Sequence, residues 1–268
     1  MNPNLTLYVS SSDKFADCWD PFFKLLRKFW PEWNGPIIFT TETIPFSYPG
    51  LDIICPCVQK NNPKKLSWSE ITLQTLSYVK TTHILLLLED YFIKAPVNHN
   101  EFTAIFELVL KENYSHLMLI GMPGNNISTK YPFLLERAQN APYRFSTQAG
   151  IWKTDRFKFY LRPHESPWMA EKWGSKRASK TKDSFYSINP DHIKKYGYII
   201  DYYIRGGITK GKWVDSIPDF FQSQGITSID YSKRGFYSEP PIPPIHKRIR
   251  NKLNRLPSEV KSWLSLIC

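Results

Sequence analysis

Five consecutive aliphatic residues, Ile84 to Leu88, sit inside the stretch HILLLLEDYFI, His83 to Ile93. A run of that kind is stable only where both faces of a strand are covered, which makes it a central strand of a mainly parallel sheet. It ends on two acids, Glu89 and Asp90. In an open α/β sheet, ligands bind beyond the carboxyl ends of the strands. Adjacent carboxylates at that edge suit a hard divalent cation, which takes oxygen ligands and in turn clamps a diphosphate. A solvated strand end is the alternative reading of the same two residues.

The rest of the chain agrees with an α/β reading. LTLYVSSSD, Leu5 to Asp13, reads as a first strand delivering a Ser-rich loop, and Lys14 to Trp30 as a helix burying Phe15, Cys18, Trp19, Phe22, Leu25, Leu26 and Phe29, closed by Pro31. Gly35 to Thr43 and Leu51 to Cys57 follow as strands, and Ser67 or Ser69 caps a helix carrying Ile71, Leu76 and Val79 inward. After the His83 strand, Asn98 to Lys111 has helical spacing and His116 to Met122 reads as another buried strand. The second half is less regular. A Gly-Asn loop at Gly121 to Lys130 precedes an alternating strand at Tyr143 to Lys153 and a short helix, TDRFKFYL. Beyond these come a helix starting at Met169, a strand at Tyr198 to Ile204 and a helix at Pro218 to Gly225.

At 268 residues the chain has room for one elaborated domain, expected over residues 1–238, with a proline-rich linker at 239–244 and a basic amphipathic tail at 245–268. Met1 to Asp13 has no basic segment followed by a long apolar core, so a cytoplasmic location is expected. Four cysteines without zinc spacing are expected to be reduced. The formal net charge of +11 implies an anionic partner. Much of it lies between His246 and Lys261, where Lys247, Arg248, Arg250, Lys252, Arg255 and Lys261 face one acid, Glu259. Along the same tail, Ile245, Ile249, Leu253, Leu256, Val260, Trp263, Leu264 and Ile267 draw an apolar stripe at steps of three or four. A basic helix with such a stripe is expected to lie on an anionic membrane surface, here the inner membrane face; docking on the body or on another subunit is the alternative.

The order of these stretches resembles the nucleotide-sugar glycosyltransferases of the GT-A fold, and in particular bacterial enzymes that build surface polysaccharides. The resemblance spans roughly Leu5 to Arg234. It is carried by the strand ending in LLLEDYFI, the stretch YRFSTQAGIWK, the segment ESPWMAEKW and the later GITKGKW. It implies a GT-A-like (Rossmann-like) central sheet flanked by helices, with a less regular acceptor-side half. The implied activity is transfer of a sugar from a nucleotide-diphosphate donor to a hydroxyl of a glycan or lipid-linked acceptor, with inversion. A divalent metal, Mn or Mg, would bridge the diphosphate. The acidic pair departs from the family's Asp-x-Asp pattern by reading Glu89-Asp90-Tyr91.

Within that resemblance Tyr8, Ser10, Ser11 and Asp13 are candidates for the nucleotide, with Thr41 and Lys65 as further ones. Asp90 and Glu89 are candidates for the metal and diphosphate, with Lys210 and Lys212 closing over the diphosphate on a Gly-rich lid hinged at Gly206, Gly207 and Gly211. Sugar transfer also needs a base for the attacking hydroxyl. Glu171 is preferred for that role and Glu165 is second, because either lies near Trp168 and Trp173, whose faces suit a sugar ring. Pairing of these acids with Lys172, Lys176 or Arg177 on an exposed helix is the alternative. Gln148 and Trp152 are candidates for the donor-sugar pocket or, equally, for core packing. Two other functions compete: a basic nucleic-acid-binding protein, for which no compact binding motif is found, and a nucleotidyltransferase on a similar sheet, for which the Gly-rich, Lys-bearing loop after the first strand is missing.

Overall fold

The computed structural model describes residues 3–203, 206–239 and 244–266. Most of the expected linker, and Ile267 of the stripe, lie outside these residues, as do the side chains of 246–249 and 251–252. In chain order the elements are β1 (Leu5–Ser10), α1 (Ala16–Phe29), β2 (Ile37–Thr40), β3 (Ile53–Ile54), α2 (Trp68–Thr75), β4 (His83–Leu88), α3 (His99–Lys111) and β5 (His116–Met118). Then come β6 (Asn126–Ser128), β7 (Leu134–Arg137), β8 (Gly150–Lys153), α4 (Thr154–Tyr160), α5 (Pro167–Ala178), β9 (Phe185–Ile188) and α6 (Pro190–Tyr196). The hairpin of β10 (Ile208–Thr209) and β11 (Lys212–Trp213), α7 (Ile217–Ser223) and α8 (Ile245–Leu264) complete the described chain.

Nine strands form one mixed sheet in the order β3-β2-β1-β4-β8-β5-β9-β7-β6 among the described residues. The block β3-β2-β1-β4 is parallel throughout, whereas β8 runs antiparallel to both of its neighbours. The run Ile84 to Leu87 is wholly buried, as its composition requires. Leu85 and Leu87 join one face of the sheet with Leu5, Leu7, Val9 and the inward side of α1 and α3. Ile84 and Leu86 join the other face with Tyr8, Trp152, Phe157 and Phe185. Complete burial of a leucine is worth about 1.5–3 kcal/mol, so this one strand anchors both layers.

Local signals set the helix boundaries. Ser67 caps α2 in a reciprocal box with Glu70, Asn98 caps α3 by accepting from Glu101 N, and Ser166 caps α5 with Pro167 in the first turn. Caps of this type contribute about 1 kcal/mol each. Three expectations need correction. The alternating stretch Tyr143 to Lys153 is a strand only from Gly150, because Phe145 and Ser146 are drawn toward α5: Phe145 N donates to Ser175 Oγ, and Ser146 Oγ to Glu171. Of the strand expected at Tyr198 to Ile204, Ile204 lies outside the described residues and Tyr198 to Tyr203 form only a single bridge, between Tyr202 and Ile93. Leu51 to Cys57 pairs only through Ile53 and Ile54, at the sheet edge. The expected reduced thiols Cys18, Cys55 and Cys57 are free. No helix among the described residues is long and apolar enough to cross a membrane.

Candidate active site at the sheet edge

The register brings three strand ends into line, since Ser10 pairs with both Thr40 and Leu88. The segments that leave this edge are Ser11 to Asp13, Thr41 to Thr43 and Glu89 to Asp90. Because β8 is reversed, with Leu86 opposite Gly150, the residues entering it from Ser146 to Ala149 arrive at the same edge. Chain exits and a chain entrance therefore wall one cleft.

Glu89 and Asp90 lie at the centre of that edge and are 7% and 9% exposed. One oxygen of Asp90, Oδ2, accepts from Ile208 N at 3.2 Å, and the Asp90 carbonyl accepts from Gly207 N at 2.8 Å. Gly206 sits against this carboxylate with φ +80°, and a Cβ there would lie 2.1 Å from Asp90 Oδ2. Only glycine allows that approach. Burial pushes the Asp90 carboxyl up to about 7, against the pull of the Ile208 amide and Arg234. Burial, together with the neighbouring Asp90 charge, drives Glu89 well above the usual carboxylate range. Among the described residues neither acid forms an ion pair with Lys, Arg or His.

Arg234 is the cation whose charge reaches both acids, but its guanidinium is engaged elsewhere. Its Nε donates to Asp17 Oδ2 at 2.6 Å and its Nη2 to Asp17 Oδ1 at 2.5 Å, with a further bond to the Lys14 carbonyl. Sequence reading missed this pair, whose members are 217 residues apart with no local signal linking them. No group of three or more His, Cys, Asp or Glu suited to a metal is present among the described residues. Two unpaired carboxylates nevertheless fit a hard cation of the Mg or Mn type, which takes one or two protein carboxylates and fills its shell with water and phosphate oxygens.

The loop candidates divide by what they touch. Ser10 Oγ accepts from Trp68 Nε1 at 3.1 Å and Ser11 Oγ from Trp19 Nε1 at 2.7 Å, so both hydroxyls lie at the edge between two indoles. Asp13 instead clasps the next loop: its carboxylate accepts from the amides of Glu42 and Thr43 and from Thr43 Oγ1 at 2.6 Å. Tyr8 is wholly buried in the lower core with its hydroxyl on the Thr72 carbonyl, and is corrected from a nucleotide contact to a packing residue. Thr41 is likewise buried, bonded to the Ile44 carbonyl. Lys65 is exposed in a separate groove with Lys64, His164 and Lys261. Lys210 lies in the turn of the β10–β11 hairpin and Lys212 follows it; Lys210 at φ 50° and Gly211 at φ 81° have the paired positive values of a tight turn. The three lid glycines thus have geometric roles, Gly206 against Asp90, Gly207 against Phe92 and Gly211 in the turn.

On the opposite wall the two candidate bases differ completely. Glu165 is wholly buried and paired with Arg177 through two bonds of 2.9 and 2.6 Å, which removes it as a base. Glu171 holds the entrance to β8: its Oε1 accepts from Thr147 N at 2.7 Å, Thr147 Oγ1 at 2.9 Å and Ser146 Oγ at 3.2 Å. Its other oxygen makes no hydrogen bond among the described residues. Glu171 lines a groove of ≈ 570 Å³ with Tyr143, Trp168, Lys172 and Ser175. Trp168 is 78% exposed and Tyr143 50%, so two rings stand free beside the carboxylate. Trp173 is buried, with its indole on Glu259, and Trp152 is buried and stacked on His116 at 3.7 Å; neither ring is available to a sugar. Gln148 accepts from the Tyr202 hydroxyl at 3.3 Å, and Tyr202 stacks on Tyr91 at 4.7 Å.

Tyr91 ties the two walls together. Its phenol is held well above its ordinary pKa, first by burial and then by Tyr202 and the charges of Asp90, Glu171 and Glu89. Tyr91 follows Asp90 in the chain and, by stacking on Tyr202, reaches Gln148 at the entrance to β8.

Comparison with known proteins finds no matching family and no matching curated protein. Among solved structures the chain is similar to a fragment of S. aureus TarS, residues 1-349, at 10% identity and a TM-score of 0.44, over 68% of this chain and 59% of that one. A complex of the same fragment with UDP-GlcNAc aligns at 11% identity and a TM-score of 0.44, over 68% and 57%. The bifunctional IspDF from Campylobacter jejuni aligns at 12% identity and a TM-score of 0.36, over 63% and 46%. The chain thus spans less than two thirds of each of these structures.

Proposed function

We propose that this chain transfers a glycosyl group from a nucleotide-diphosphate sugar to an acceptor hydroxyl, with inversion at the anomeric carbon. One observation carries the reading: Glu89 and Asp90, two buried carboxylates with no cation partner among the described residues, stand at a strand edge that Tyr91 and Tyr202 link to the entrance of β8, where Glu171 opens on a groove lined by exposed rings. The first pair suits the donor diphosphate through a divalent cation, which Asp90 and Glu89 would hold. That cation, when bound, offsets the charge that grows on the leaving diphosphate.

The chain's own residues supply the rest. Ser10 and Ser11 lie between Trp68 and Trp19 where strand ends meet, a position suited to the nucleoside. The faces of Trp168 and Tyr143 suit the apolar side of an acceptor sugar. The free oxygen of Glu171 takes the acceptor proton as the acceptor oxygen bonds to the anomeric carbon, while the bond from that carbon to the diphosphate breaks and its electron pair leaves with the phosphate. Three donors fix the other oxygen, so the base is oriented before substrate arrives.

Calorimetric titration of UDP-, GDP- and dTDP-sugars, with and without Mn, tests the donor half. Binding of at least one nucleotide sugar, strengthened by Mn and weakened in Asp90→Asn, is the expected result. Failure of every nucleoside diphosphate and nucleotide sugar to bind, with Mn or Mg present, would overturn the proposal.

A further inference from the structure

Helix α8 meets the body through its polar residues. Glu259 accepts from Lys172 Nζ at 2.5 Å and from Trp173 Nε1 at 2.8 Å. Ser262, wholly buried, donates to Glu165 at 2.8 Å and lies 2.9 Å from His164 Nε2. Ser265 accepts from Arg177 at 3.3 Å, and the Leu266 carbonyl from Lys180 at 2.6 Å. Positions 259 and 262 lie three residues apart and so share one helix face, and Ser265 and Leu266 continue the contact just past the last turn.

The apolar residues are turned the other way. Leu253, Leu256, Val260, Trp263 and Leu264 are 60%, 52%, 44%, 52% and 48% exposed. At 3.6 residues per turn they share a stripe roughly opposite the docked face. A helix that packs on its own domain normally buries its apolar stripe; this one does the reverse, and Arg250, Arg255 and Lys261 stand exposed on the same helix. The choice of occupant follows from charge. A second copy would bring the same basic helix, on a chain of net charge +11, against its like. An anionic surface satisfies both the stripe and the cations.

We propose that the exposed stripe of α8 lies in the interface of an anionic lipid bilayer, with the polar face holding the body against it. Arg255 of this helix lines a groove with Trp168, Lys172 and Glu259, and Trp168 also lines the groove of Glu171. The candidate site therefore opens beside the membrane-facing helix. The exposure of the stripe does not depend on the chemistry of that site.

Cosedimentation of the full chain with vesicles decides the matter. Vesicles of phosphatidylglycerol and phosphatidylcholine in equal parts should pellet the protein at low salt and release it at high salt, while pure phosphatidylcholine should not pellet it. The double variant Leu256→Glu, Trp263→Glu changes two exposed side chains and should keep the native circular dichroism while binding the anionic vesicles about tenfold or more weakly. Equal binding by that variant would overturn the proposal by placing attachment elsewhere. A wild-type chain that ignores both vesicles, or one that self-associates through the stripe as shown by light scattering that the variant abolishes, would overturn it too.

Discussion

Two buried acidic sites lie in this molecule, and they have opposite partners. On α5 and the turn before it, Glu165 is matched by Arg177 in a bidentate pair and further bonded by Ser262. At the end of β4, Glu89 and Asp90 are nearly as buried but have, among the described residues, only backbone amides and a cation already committed to Asp17. Burial therefore does not separate a structural acid from a functional one. What separates them is whether the fold supplies the opposing charge or leaves it for a ligand.

The comparison is broken most directly at Glu171, the acid on α5 that has no basic partner among the described residues. Glu171→Gln should lower the chemical step by roughly 10²–10⁴-fold with donor affinity unchanged. Steady-state rates set beside calorimetric donor binding would show this, and a variant with wild-type turnover would return Glu171 to a purely structural role. Arg177→Met should lower stability by about 3–5 kcal/mol, because it strands the Glu165 charge in the interior. Restoring neutrality with Glu165→Gln in the same chain should recover much of the loss in a denaturant titration; an unrecovered loss would mean that packing dominates there.

At the β4 pair the sign should reverse. A carboxyl raised to about 7 in the folded state holds a proton that the unfolded chain, at its ordinary value, has released. The resulting penalty is absent below about pH 4, grows as pH rises towards 7 and is complete above it. Asp90→Asn should therefore stabilise the metal-free protein at pH 8 by up to about 4 kcal/mol, and not at all near pH 4. Thermal unfolding at the two pH values would check it, and equal shifts at both would remove the charge argument. Mn at tenfold its dissociation constant should add about 1.4 kcal/mol at pH 8. The same Mn concentration should add less at pH 5, where protons compete for the same oxygens. An effect that does not depend on pH would place the metal elsewhere.

The first half of this layout was open to sequence reading because its signals are local. The aliphatic run and the two acids that end it are adjacent in the chain, and so are the cap Ser67 and its partner Glu70. Tyr8 and Trp152 were harder because a strand buried on both faces shows no alternation by which to tell core from cleft. Glu165 was misread for a different reason. A Glu near a Lys- and Arg-rich helix looks solvated in sequence, and only the docking of α8 over it makes the Arg177 pair an interior one. Asp17 and Arg234 meet only when the chain after β11 folds back on α1, a contact that no spacing reveals. The exposure of Trp168 beside a buried Trp173, five residues on, was set by tertiary contact with Glu259 and not by helical period.

The reversal of β8 has a wider consequence. The wall proposed for the nucleoside is made by the exits of β1, β2 and β4, strands locked together by a continuous parallel ladder. The opposing wall is the entrance to β8, a stretch from Ala138 to Ala149 that is tied by backbone bonds at its two ends and between them by side-chain bonds to Glu171, Ser175 and the Arg137 carbonyl. Insertions or exchanges in that stretch alter one wall and leave the ladder of the other intact. The layout is thus modular: under the proposed function, the surface that meets the acceptor can change without disturbing the strands that hold the donor.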